Sequence, residues 1–177
     1  ILLWQVYLLF SGLQTLLLMF GGMDLFQALC HTFGTMATGG FSTKNASIGH
    51  YSSVYIHVVI IVFMFIAGTN FALHFQLLRG KPLAFWRDPE FRFYGSIVCL
   101  FILISTLNLY WQEIYSSFGQ ALRYSSFQVI SIVTTTGYAT ADYELWPYLV
   151  QVLLVLCMFL GGCAGSNSRC PDDLTDR

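Results

Sequence analysis

Along this chain, long stretches without a charge alternate with short polar intervals. No Lys, Arg, Asp or Glu occurs from Ile1 to Met23, from Asn45 to Leu78, from Phe93 to Gln112, or from Leu145 to Ser168. A helix crosses a hydrocarbon layer of about 30 Å with about 20 mostly apolar residues. Each uncharged stretch holds such a run, and none shows the polar face that a helix on a water-soluble core would keep. The pattern predicts spanning helices over 1–20, 54–78, 93–112 and 145–164.

Two of the intervals hold a shorter apolar segment, 24–35 and 117–132. At helical rise these reach only about 18 to 24 Å, too little to cross. Each runs into a stretch rich in Gly and Thr, 36–43 and 133–140, which breaks a helix. The order of long helix, short helix, glycine-threonine turn and long helix is thus written twice. The expected organisation is a unit over 1–78, a linker over 79–92, a second unit over 93–166 and a polar tail over 167–177.

The two turns align with each other. Gly34-Thr35-Met36-Ala37-Thr38-Gly39-Gly40-Phe41-Ser42-Thr43 lies over Ser131-Ile132-Val133-Thr134-Thr135-Thr136-Gly137-Tyr138-Ala139-Thr140, each position 97 residues beyond its counterpart. Thr38 falls on Thr135, Gly40 on Gly137, Phe41 on Tyr138 and Thr43 on Thr140. Taken singly, each segment reads more readily as an ordinary turn between helices that pack through small residues than as part of a pore. Their recurrence behind matched short helices favours a shared role, since repeats in transport proteins place the substrate site where they meet.

That role suits a dehydrated cation. An ion entering a narrow pore exchanges its water shell for other oxygens, and backbone carbonyls can supply them. A strand whose carbonyls converge on an axis needs conformations that glycine permits and β-carbons resist. Phe41 and Tyr138 are expected to wedge behind the strands. The short helices would aim their negative C-terminal ends at the ion path. Asp142 and Glu144 would add negative charge at the outer mouth, opposed in the first unit by Lys44.

Composition and charge narrow the partners. Hydrophobic residues make up 56% and charged residues 10%, where a soluble domain carries about a quarter charged. A net charge of −1 offers no basic surface for nucleic acid. The five cysteines form no CxxC pair and read as small apolar packing residues. Residues 1–20 are apolar from the first position without a basic flank, which reads as a spanning helix in a chain cut from a longer one, not a signal peptide. The linker holds Arg79, Lys81, Arg87 and Arg92, half of the eight basic residues. Basic short loops stay cytoplasmic, so Gly21–Ser53 and Glu113–Glu144 face outside as re-entrant segments, admissible only where protein or a watery cavity surrounds them.

Other polar residues read as structural. His57, His74 and Asn70 (with Gly68 and Thr69) suit contacts between helices, although a membrane histidine can also mark a proton path. Trp4, Trp86, Trp111 and Trp146 fall near expected helix ends, as interfacial aromatics do. Asn45-Ala46-Ser47 is a formal glycosylation triplet of no evident consequence. No nucleophile elbow, phosphate loop or metal-binding helix motif is present, so neither an enzyme nor a cofactor is expected.

His31-Thr32-Phe33 leading into TMATGGFSTKNASIG, FALHFQLLRG from Phe71, FQVISIVTTTGYATADYELWP from Phe127 and FLGGCAGS from Phe159 together resemble the Trk/Ktr/HKT potassium transporters, in particular bacterial Trk membrane subunits. The likeness implies an all-α polytopic membrane protein of the bacterial inner membrane, carrying the second and third of four helix–pore helix–filter loop–helix units that resemble a potassium-channel pore. It assigns Gly40 and Gly137 as filter glycines, with Thr38, Gly39, Thr135 and Thr136 supplying neighbouring carbonyls to potassium. It matches Gly161, Gly162 and Gly165 to the start of a glycine-rich gate loop, and implies a cytosolic nucleotide-binding regulatory subunit as partner. The missing first and fourth units, or a second copy, would complete the ring. The tail from Asn167 departs from the family pattern, as a frameshift or truncation would leave it. A transporter for another ion or solute with re-entrant loops, or a non-conducting truncated fragment, are the alternatives.

Overall fold

The structure, a computed structural model, describes residues 2–69 and 89–164. Its described residues form six α-helices without a strand: α1 (Leu2–Phe20), α2 (Leu25–Met36), α3 (Val54–Ala67), α4 (Pro89–Trp111), α5 (Phe118–Val133) and α6 (Tyr148–Ala164), with 3₁₀ turns at Ser47–His50 and Tyr143–Leu145. Helices α1, α2 and α3 pack together as one unit and α4, α5 and α6 as a second, and α3 joins them by lying against α5.

The ends of these helices follow from their capping chemistry. Helix α1 stops where Gly22 turns left-handed, at φ 93°, and Met23 N–H donates to the Leu18 carbonyl. Helix α4 stops the same way, with Glu113 at φ 54° and Ile114 N–H donating to Leu109. This closure satisfies carbonyls that the last turn leaves unpaired. Asp24 opens α2 by accepting from Phe26 N–H at 3.3 Å.

Three boundaries differ from those read in the sequence. Helix α3 does not run to 78: it ends at Ala67, where Gly68 N–H donates to Met64 and the Thr69 hydroxyl to Ile66, and residues 70–78 lie outside the described chain. Helix α4 starts earlier, at Pro89, because a first-turn N–H has no helical partner for proline to forfeit. Helix α6 starts later, at Tyr148: Pro147 offers only its carbonyl, which accepts from Val150 and Gln151.

Among the described residues one helix is by itself long and apolar enough to span a membrane, Phe91–Trp111 at 21 residues and a mean hydropathy of 1.8. It presents Leu100, Leu103 and Leu107 outward, just as α1 presents Leu8, Leu9 and Leu16 and α6 presents Val152 and Val155. Such contiguous apolar faces mark contact with lipid or protein. Trp4 and Trp111 are exposed, whereas Trp146 is buried and belongs to the core, correcting its reading as an interfacial residue; Trp86 and His74 lie outside the described chain.

Polar groups bind the helices from within. Thr15 Oγ1 of α1 meets Thr32 Oγ1 of α2 at 3.1 Å, and Thr106 Oγ1 of α4 meets Ser125 Oγ of α5 at 2.6 Å, so a hydroxyl pair joins the first and short helices of each unit. His57 holds the Tyr51 carbonyl at 2.7 Å through Nε2 while its ring packs 5.7 Å from that of Phe127. It therefore serves the α3–α5 contact.

Candidate ion-conducting site

The segments after α2 and α5 are built alike, hydrogen bond for hydrogen bond. Ala37 N–H donates to Phe33 and Thr35, and Thr134 N–H to Ile130 and Ile132. Thr38 donates to Thr35 at 3.1 Å, and Thr135 to Ile132 at 2.9 Å. Gly39 and Gly40 both donate to Gly34, at 2.8 and 3.2 Å, and Thr136 and Gly137 both donate to Ser131, at 2.9 and 3.1 Å. Four successive amides in each unit thus turn back on the short helix.

The backbone angles repeat too. Thr38 at φ 49° and Gly40 at 65° are left-handed, as are Thr135 at 57° and Gly137 at 84°. A β-branched residue enters this region only under strain, about 1–2 kcal/mol for an L-residue. That the strain recurs at Thr38 and Thr135 points to a functional constraint. With the amides used inward, no hydrogen bond among the described residues occupies the carbonyl oxygens of 38–40 or 135–137. Gly39, Thr135 and Gly137 stay open to the surroundings. The C-terminal ends of both short helices abut these segments, and their partial negative charge favours a cation there.

The two segments touch. A β-carbon on Gly40 would collide with the Thr136 carbonyl oxygen and stand 3.3 Å from the Gly137 carbonyl carbon. Around Gly137 the corresponding space is open, with nothing within 4 Å. Tyr138 is fully enclosed, its hydroxyl reaching back to the first unit, while its counterpart Phe41 is 82% exposed. The second unit therefore leans on the first through one face, and the equivalent faces at Phe41 and Gly137 are uncovered. Beyond the two segments, Gly49 N–H donates to Ala139 at 3.1 Å and Ser47 Oγ accepts from Ala139 N–H at 3.3 Å.

Several of these residues went unread in the sequence. Gly34, inside α2, makes room for the Tyr138 hydroxyl, and the Ser131 hydroxyl donates to the Tyr138 carbonyl at 2.7 Å. A glycine within a short helix, which costs about 1 kcal/mol against alanine, was the available signal. Asp142 and Glu144 are exposed beyond the second segment, with Asp142 capping the 3₁₀ turn through Glu144 N–H at 3.1 Å. Gly161 and Gly162 lie within helical backbone of α6; Gly165 and the tail lie outside the described chain.

Comparison with known proteins identifies this architecture. Residues 6–168 match the family model for TrkH, a cation transport protein. The Trk system potassium uptake protein TrkH of Escherichia coli K12 is 44% identical over 166 residues, covering 93% of this chain and 34% of that protein. TrkG of the same organism is 33% identical over 166 residues, again 93% of this chain and 34% of its own length. The crystal structure of the potassium transporter TrkH from Vibrio parahaemolyticus superposes with a TM-score of 0.87 at 39% identity, covering 93% of this chain and 36% of that one. The chain thus spans about a third of the length of the curated relatives it matches. It belongs to the TrkH family of cation transport proteins, a family of membrane proteins, and has the family's all-helical polytopic fold.

Proposed function

We propose that this chain supplies two of the pore units of a potassium-uptake protein, and that potassium passes along the backbone carbonyls of Thr38, Gly39 and Gly40 and of Thr135, Thr136 and Gly137. One observation carries this reading. In both segments the amides of four successive residues are spent on the short helix, left-handed residues alternate at the same two places, and the carbonyl oxygens between them find no partner among the described residues. Carbonyls so released can replace the hydration shell of a bare monovalent ion. The names of the relatives, potassium uptake proteins, support the choice of ion.

Two segments cannot encircle an ion. The uncovered faces at Phe41 and Gly137 are where further units, from the remainder of a longer chain or from a second copy, would close the ring. Tyr138 supports the filter from behind, and Phe41 would do so against the unit that covers it. The protein would sit as a multi-pass protein in the bacterial inner membrane, with a cytosolic nucleotide-binding subunit as regulatory partner. The glycines at 161, 162 and 165 would begin a gate on the inner side.

The test exchanges the matched segment into the Escherichia coli relative, giving a complete transporter that carries these two units. Potassium and sodium uptake are then measured in cells without their own potassium uptake. Gly137→Ser places a β-carbon at φ 84° and should tilt the adjoining carbonyls, lowering the potassium-to-sodium ratio. An unchanged ratio would refute the assignment, and transport of organic solutes in place of potassium would refute the choice of substrate.

A further inference from the structure

Tyr138 carries a hydroxyl that the filter geometry itself does not require. The ring is fully enclosed, and its hydroxyl oxygen lies 3.1 Å from the His31 carbonyl and 3.2 Å from the Phe41 carbonyl. Both acceptors belong to the first unit. His31 lies in the pore helix that supports the first filter strand, and Phe41 is the residue by which that strand leaves the filter. One hydroxyl has one proton, so it donates to either carbonyl and bridges the two positions.

Gly34 makes the bridge possible. A β-carbon there would collide with the Tyr138 hydroxyl and stand 3.0 Å from the Phe41 carbonyl oxygen. Glycine is a poor residue inside a helix, so a packing reason of this kind accounts for it. At the equivalent place in the second unit stands Ser131, which has a β-carbon and spends its hydroxyl within its own unit. The counterpart of Tyr138 is Phe41, which has no hydroxyl to seat. Notch and hydroxyl thus occur together at one junction between units, and both are lacking in their equivalents.

The amides of residues 37–40 tie the strand to α2, while its carbonyls and the residues that follow have few ties. No described hydrogen bond uses the carbonyls of 38–40, and the bond from Tyr138 is the only described one from the second unit to residues 41–46. Choice between potassium and sodium depends on the number and arrangement of coordinating carbonyls. We infer that the Tyr138 hydroxyl, seated in the Gly34 notch, is a selectivity-determining positioning group by which the second unit fixes the first unit's filter strand. This rests on the filter reading above and adds to it a coupling between units.

The test uses the same complete transporter, with rubidium standing in for potassium against sodium. Tyr138→Phe keeps the ring and removes the hydroxyl; the rubidium-to-sodium ratio should fall about three- to tenfold, the scale of one lost hydrogen bond, with rubidium uptake still measurable. Gly34→Ala should lower the ratio too. Combined with Tyr138→Phe, the alanine no longer collides with a hydroxyl and keeps only the 3.0 Å approach to the Phe41 carbonyl oxygen, so the loss in the double variant should fall short of the sum of the two single losses. If Gly34→Ala does not fold, the ratio in Tyr138→Phe decides the claim by itself. An unchanged ratio in Tyr138→Phe, or additive effects in the pair, overturns it. Gly137→Ser measured alongside separates the two claims: a fall there without one in Tyr138→Phe sinks the bridge alone, whereas no fall in either sinks the filter.

Discussion

At Gly40 the two proposed filter segments leave no room for a β-carbon, and replacing it with alanine has a cost that can be worked out. Two terms contribute. Alanine at φ 65° loses about 1–2 kcal/mol to the left-handed backbone. Its methyl group would also be driven into the Thr136 carbonyl, with the carbonyl carbon at 3.2 Å, and overpacking of this kind costs about 1–3 kcal/mol. The sum is about 2–5 kcal/mol. Gly22 provides the control, being left-handed at φ 93° with nothing within 4 Å of a β-carbon, so Gly22→Ala bears only the first term. The two variants should therefore differ in unfolding free energy by about 1–3 kcal/mol, read from the denaturation of the purified transporter. Because the collision is relieved most directly by turning the Thr136 carbonyl aside, Gly40→Ala should also lower the rubidium-to-sodium ratio about tenfold, the equivalent of 1.4 kcal/mol. Gly22→Ala should leave it alone. Equal stability of the two variants, together with an unchanged ratio in Gly40→Ala, would refute the reasoning.

Two further expectations test the junction and the mouth. Gly68→Ala would bring a methyl group within 2.6 Å of Thr134 Cγ2 and 2.9 Å of the Tyr94 hydroxyl; it should destabilise by about 1–3 kcal/mol, and a melting temperature equal to the parent's would show that α3 does not press on the C-terminal end of α5. Glu144→Gln removes an exposed carboxylate beyond the second segment, and if that segment lines the pore as proposed it should slow potassium uptake roughly two-fold at low ionic strength with the deficit shrinking at physiological salt. A deficit independent of salt would exclude an electrostatic role.

The elements were legible where their physics is local. Helices α1, α2 and α5 lie within a residue of where uncharged length and glycine-threonine breaks put them, and α6 starts three residues later, after Pro147. The end of α3 was not legible: the run from Val54 stays apolar past Gly68, and the local pattern does not show that Gly68 sits against Thr134 and Tyr94 of the other unit with no room for a β-carbon. Trp146 misled for a similar reason, since a tryptophan beside a helix end looks interfacial until the partners that bury it are known. Phe41 and Tyr138 looked equivalent in the alignment. Their surroundings separate them, one enclosed and one exposed, because only Tyr138 has the preceding unit beside it.

What the sequence determined by itself is the repeat: two apolar units, each with a helix too short to cross and a glycine-threonine turn, related by a constant offset of 97 residues. Charge depletion and helix length settle that much, since both depend on neighbouring residues along the chain. The tertiary structure decided how one unit meets the other. That the Thr136 carbonyl lies against Gly40, that the Tyr138 hydroxyl enters the Gly34 notch, and that the reverse faces stay open are consequences of packing between residues about a hundred positions apart. Contacts at that separation are governed by shape and by which backbone groups still need a partner, and neither is written in the local pattern.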